Sequence, residues 1–121
     1  MADSSPGSLD AFERALLEAI AGISTHAATL RAQVAGAAVV GRETDATGRT
    51  TYLCVAATAP RLSDGELTLR ATVGLVGAPD AAAELTLHNG WLDSLYAGAT
   101  GGEFPAEPRL VGVTPAERPG A

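Results

Sequence analysis

A chain of 121 residues, 46% apolar, fits a single domain with one core, and at this length folding buries roughly two-thirds of the surface the unfolded chain exposes. Its eight basic residues are all arginine, which excludes a Schiff-base lysine, a pyridoxal linkage and a phosphate-loop lysine. A net charge of −6 without a clustered basic stripe leaves nothing to neutralise a nucleic-acid backbone.

The opening MADSSPGSLD is polar and acidic, unlike the basic start and apolar stretch of a signal peptide, and no run of about 18 apolar residues is present to span a bilayer. A cytoplasmic protein with neither membrane nor nucleic acid as partner is expected. Residues 1–7 read as a loose lead-in, residues 8–113 as one domain and residues 114–121 as a frayed tail. From Leu9 the apolar positions Leu9, Phe12, Leu16, Ile20 and Ile23 recur at spacings of three and four. Asp10, Glu13, Arg14 and Glu18 fall on the other side, and the spacing predicts an amphipathic helix over 9–21. Ser8 or Asp10 can cap it, Asp10 with Glu13 has the spacing of a capping box, and Gly22 offers a left-handed exit. A shorter helix over 26–35 follows, capped by Ser24 or Thr25, with Ala27, Leu30 and Val34 inward and Gly36 at its end.

At Ala38 the apolar period changes to two, which announces strands. Ala38 to Thr44 and Thr50 to Ala57 flank the turn Asp45-Ala46-Thr47-Gly48. A loop from Pro60 to Gly65 leads into Leu67, Leu69, Ala71, Val73 and Leu75, alternating with Thr68, Arg70, Thr72 and Gly74. This is the cleanest strand of the chain and is expected in the middle of the sheet. Gly77-Ala78-Pro79-Asp80 is read as the next turn, and Glu84 to His88 as the returning strand. Asn89-Gly90 then calls for a type I′ hairpin. That register sets His88 opposite Trp91, Leu87 opposite Leu92 and Thr86 opposite Asp93. Leu92 and Leu95 both point inward only if a bulge lies near Asp93-Ser94. After Tyr96, GATGGEFPAEP is turn-forming, and Leu110 to Val113 adds a short edge strand. The whole is an α+β domain: two N-terminal helices packed on an antiparallel sheet of four to five strands.

Two short helices, a meander of strands and the closing LTLHNGWLDSLY resemble small bacterial α+β proteins that end in an apolar strand, Asp/Asn-Gly and an x-Leu-x-x-Leu hairpin. The likeness covers residues 9–97 and implies a fold, not an activity. The same closing hairpin is similar to those of NTF2-like and cystatin-like sheets. Their helix-on-curved-sheet layout encloses a small-molecule pocket.

For chemistry, His88 and Asp93 stand diagonally across the hairpin, where the carboxylate can orient the imidazole, and Cys54 is the available nucleophile. Within YLCVAA, however, Cys54 is expected to be buried and inert, so these three are catalytic candidates without a complete constellation. A single cysteine closes no intramolecular disulfide, in keeping with a reducing compartment. His26 and His88 stand alone, with no Cys or carboxylate at ligand spacing, so no metal and no cofactor is expected. GATGG does not lead into a helix, as a phosphate cradle would. Glu13, Glu18, Glu84, Glu103 and Glu107 are dispersed and read as a solvated surface. Trp91 remains, with Leu95 or Tyr96 beside it. It is either the anchor of an association surface, for a second copy or another protein, or plain core under the helices; the sequence leaves both open. The expectation is a non-enzymatic interaction or accessory domain. The alternative is an NTF2-like or cystatin-like small-molecule binder or enzyme with a pocket between helix and sheet.

Overall fold

The chain enters its first helix through the capping box its sequence spells. The Asp10 carboxylate accepts from the Glu13 N–H at 2.8 Å, and the Glu13 carboxylate accepts from the Asp10 N–H at 2.9 Å, so two of the helix's unpaired donors are satisfied. This computed structural model describes residues 7–56, 58–63 and 66–115. Most of the expected lead-in and tail, residues 1–6 and 116–121, lies outside the described residues.

Helix α1 spans Ala11–Ile23 and helix α2 spans Ala27–Ala35. The apolar stripe of α1 is Phe12, Leu16, Leu17, Ile20 and Ala21, all buried, whereas Ile23 at its end is exposed. Gly22 does not provide the expected left-handed exit. It stays helical, and the helix closes two residues later where the extended Ser24 donates its N–H to the Ala21 carbonyl at 3.1 Å. Neither Ser24 nor Thr25 caps α2: its N-cap is His26, whose N–H is held by the Ser24 hydroxyl at 2.9 Å. Among the described residues no helix is long and apolar enough to cross a membrane.

Six strands follow: β1 (Ala38–Thr44), β2 (Gly48–Cys54), β3 (Leu67–Leu75), β4 (Ala78–His88), β5 (Trp91–Ala99) and β6 (Leu110–Pro115). All pair antiparallel in the order β1-β2-β5-β4-β3-β6. The fold is therefore α+β as expected, with one strand more than the largest count expected. The clean alternation of β3 does not make it the middle of the sheet. The tight Asn89-Gly90 hairpin places β4 and β5 there, and β6 returns along the outer side of β3 to become the edge.

The β3–β4 turn is Val76-Gly77, with Gly77 at φ 80, so β4 starts at Ala78 where a longer turn was expected. Asn89 and Gly90 stand at φ 54 and 83, the two positive values a type I′ turn needs. The bulge expected in β5 is present: Thr86 faces Ser94 while Leu87 faces Leu92, leaving Asp93 without an opposite. Thr86 opposite Asp93, the register of an unbulged hairpin, is thereby overturned, and Leu92 and Leu95 both reach the core at 2% exposure.

The helices lie on one face of this sheet. Leu16, Leu17, Ile20 and Leu30 from the helices and Leu85, Leu87, Leu92 and Leu95 from the strands are all fully buried. At one edge α1 contacts β6, and α2 packs against β5.

Candidate functional site

The two faces of the sheet offer different chemistry. On the helix side the polar groups are consumed in holding the layers together. Glu13, read from the sequence as solvated, is 1% exposed. Arg42 on β1 grips its carboxylate with two N–H donors, each at 2.7 Å, and the Thr51 hydroxyl on β2 adds a third bond at 2.8 Å. Burial pushes the Glu13 carboxyl up, but the hydrogen bonds from Arg42, the Asp10 N–H and Thr51 outweigh it and bring it down to about 2. The bidentate geometry is what makes burial of this charge tolerable. Next to it Arg49 reaches Asp10 at 3.2 Å and lies over the Phe12 ring at 5.4 Å. Its Nη2 is buried without a hydrogen-bond partner.

A second polar anchor sits at the other end of the layer. The Gln33 amide, fully buried on α2, donates to the carbonyls of Pro60 at 2.7 Å and Gly90 at 2.9 Å and accepts from the Leu92 N–H at 2.9 Å. One side chain thus ties the second helix to the loop before β3 and to the β4–β5 turn. Gly90 has a further reason to be glycine, since a Cβ there would run into the Leu62 carbonyl.

The opposite face carries no helix among the described residues, and the register assembles it row by row. Glu43, Thr50, Tyr96, Glu84 and Arg70 form one row across β1, β2, β5, β4 and β3; Gly41, Tyr52, Ser94, Thr86 and Thr68 form the next. Trp91 faces His88 at the hairpin end. Both tyrosines and the tryptophan of the chain are therefore on this open face, whereas Phe12 and Phe104 meet edge to face at 6.1 Å on the helix side. Tyr96 lies down over Gly98 and Gly48, where any side chain would collide with its hydroxyl. An aromatic ring covering two glycines in this way protects their backbone and leaves its own outer surface to solvent.

Tyr52 donates its hydroxyl to Glu43 at 2.8 Å. That bond, with burial and the nearby charges of Glu43 and Asp93, pushes the Tyr52 hydroxyl above its ordinary value. Asp93, the residue the bulge leaves unpaired, is near enough to act on Tyr52 through its charge. An open depression lined by Glu43, Thr44, Asp45, Gly48, Thr50 and Tyr96 ends this face at the β1–β2 turn.

The catalytic candidates do not assemble. His88 pairs with Glu66, Nδ1 to carboxylate at 2.7 Å, and both side chains are largely exposed. Asp93 is the unpaired residue of the bulge, and its charge acts on Tyr52. Cys54 is exposed, against the burial expected of it. Strand alternation decides this: Leu53 takes the core position and Cys54 turns outward, a distinction that the uniformly apolar YLCVAA conceals. Among the interface candidates, Trp91 is half-buried on the open face, Tyr96 is exposed there and Leu95 belongs to the core. Among the described residues no three His, Cys, Asp or Glu side chains gather as metal ligands. Tyr52 and Glu43 were not among the candidates, and the signal that places them beside Tyr96 is the β2–β5 register, a long-range pairing.

Comparisons with models of protein families, with curated proteins and with solved structures find no match to this chain.

Proposed function

We propose that this protein is a non-enzymatic interaction module whose working surface is the open face of its sheet. The observation that carries the reading is the placement of Tyr52, Tyr96 and Trp91 together on the face the helices leave uncovered. A chain with only five aromatic residues spends three of them outside its core, and Tyr and Trp are the residues that anchor protein contacts with amphipathic, entropically cheap area. The alternative, a small-molecule site between helix and sheet, requires an interior cavity in the layer that Leu16, Leu17, Ile20 and Leu30 of the helices and Leu85, Leu87, Leu92 and Leu95 of the strands fill. The occupant of the open face is a second copy of the chain or another protein.

The test compares two double variants as bait in an extract: Tyr52→Ala/Trp91→Ala on the open face and Arg14→Ala/Glu18→Ala on the exposed side of α1. The expected result is a bound protein, or a second copy, lost by the first variant and retained by the second. A small metabolite that raises the melting temperature, with an effect abolished by His88→Ala or Asp93→Ala, would overturn the module in favour of a ligand-binding or catalytic site.

A further inference from the structure

Resting on that reading of the open face, we infer that its occupant is a basic segment of another protein, presenting arginine to the tyrosines. The inference starts from the charges around the aromatic rings. Glu43 and Glu84 lie in the same row as Tyr96, on either side of it. Asp93 and Glu43 both act on Tyr52. The basic side chains on this part of the sheet already have partners: Arg70 pairs with Glu84 at 3.0 Å, and the His88 ring meets Glu66 at 2.7 Å. Arg61 lies past the turn, with its side chain against Gly90. Among the described residues neither Glu43 nor Asp93 forms an ion pair, so the surface around Tyr52 and Tyr96 combines π faces with uncompensated negative charge.

That combination selects a cation. A guanidinium stacks on a tyrosine ring through its planar face while its edge donates to carboxylates, and both interactions strengthen when the group is desolvated. Tyr96 is arranged for this. Because Gly98 and Gly48 lie beneath it, the ring is laid along the sheet, and the Glu43 carboxylate lines the same depression, one strand beyond Thr50. An ammonium fits the charge but not the plane, so arginine is favoured over lysine. A second copy of this chain is disfavoured by the same charges, because face-to-face pairing would bring Glu43 and Asp93 against a surface of their own sign.

The experiment titrates the full chain with hexa-arginine, hexa-lysine and hexa-glutamate at low salt, reading the fluorescence of Trp91, the only indole. Two charge-matched double variants accompany the wild type: Glu43→Gln/Asp93→Asn on the open face and Glu18→Gln/Glu107→Gln, on α1 and in the loop before β6. All four positions are exposed, so both variants are expected to fold. The expected result is saturable binding of hexa-arginine, weaker binding of hexa-lysine and none of hexa-glutamate. Affinity should fall by about tenfold or more in the open-face variant and by no more than about twofold in the control. Equal losses in the two variants would mean that only net charge is read, and overturn the inference. So would failure of hexa-arginine to bind, or a wild-type dimer that Trp91→Ala dissolves. In these last two cases the module reading stands or falls separately, on whether Tyr52→Ala/Trp91→Ala releases what the open face captures.

Discussion

The helix-covered face and the open face of the sheet are built from the same strands, one residue apart, and they resolve the burial of polar groups in opposite ways. On the covered face every carboxylate or amide that goes inside is held by several partners: Glu13 by Arg42, Thr51 and the Asp10 N–H, Gln33 by two carbonyls and an N–H. On the open face the polar groups are singly bonded or ion-paired in water, and aromatic rings lie among them. The buried, multiply held polar groups are thus confined to one side of the sheet, and the side bearing Tyr52, Tyr96 and Trp91 contributes less to the fold.

Leu92 and Trp91 are neighbours on opposite faces, and they give the comparison its strongest test. Leu92 is 2% exposed and packs among the leucines. Leu92→Ala is expected to cost about 3 to 5 kcal/mol from lost transfer free energy and the cavity left behind. Urea unfolding measures it, and a cost under about 1 kcal/mol would mean that the leucine layer is not the core.

The Glu13 anchor comes next and is tested with acid. The Glu13 carboxyl titrates at about 2 in the folded protein against an ordinary 4.5. A depressed carboxyl contributes stability that is complete above the unfolded value and is lost as the pH falls through the folded one. The loss is therefore expected between about pH 4.5 and 2, and it amounts to roughly 3 kcal/mol by proton linkage. Glu13→Gln should be less stable than the wild type at neutral pH and show a flatter acid limb in urea midpoints measured against pH. Equal acid slopes would move the titrating group elsewhere. Removing Gln33 is smaller in charge but similar in kind: Gln33→Ala leaves the Leu92 N–H buried without an acceptor, at a cost of about 2 to 3 kcal/mol. Hydrogen exchange should show the β4–β5 turn opening first.

What residue spacing reveals by itself is local. Asp10 and Glu13 are three residues apart, Asn89 and Gly90 are adjacent, and Leu92 and Leu95 are close enough to reveal a bulge from their spacing alone. Glu13 and Arg42 are 29 residues apart and Gln33 and Leu92 are 59 apart, so nothing in sequence spacing pointed to either anchor, and Glu13 was assigned to the solvated side of its helix. Strand order failed for the same reason: β3 has the best alternation, but its place beside the edge is set by β6 returning along it. Cys54 failed differently. A run with no polar residue carries no phase, and the phase of β2 is fixed by Thr51 meeting Glu13, a contact 38 residues away. On the open face Trp91 could be assigned to its side from the hairpin register, while Tyr52 and Glu43 required the pairing of β2 with β5.

The smallest expected effect decides whether the open face is open. Trp91 is half-buried opposite His88, on the side away from the leucines. Trp91→Ala removes ring area that lies against the sheet without emptying a core position, so it is expected to cost about 1 kcal/mol, well short of the roughly 3 to 5 kcal/mol for truncating an aromatic side chain in a core. Thermal melts of Trp91→Ala and Leu92→Ala, recorded side by side, compare two adjacent positions under identical conditions. A large difference with Leu92 the costlier shows that the register divides the strand into a structural and a dispensable side. Equal losses would show Trp91 to be core, and the surface on which Tyr52 and Tyr96 stand would then be covered by something that packs against the tryptophan in solution.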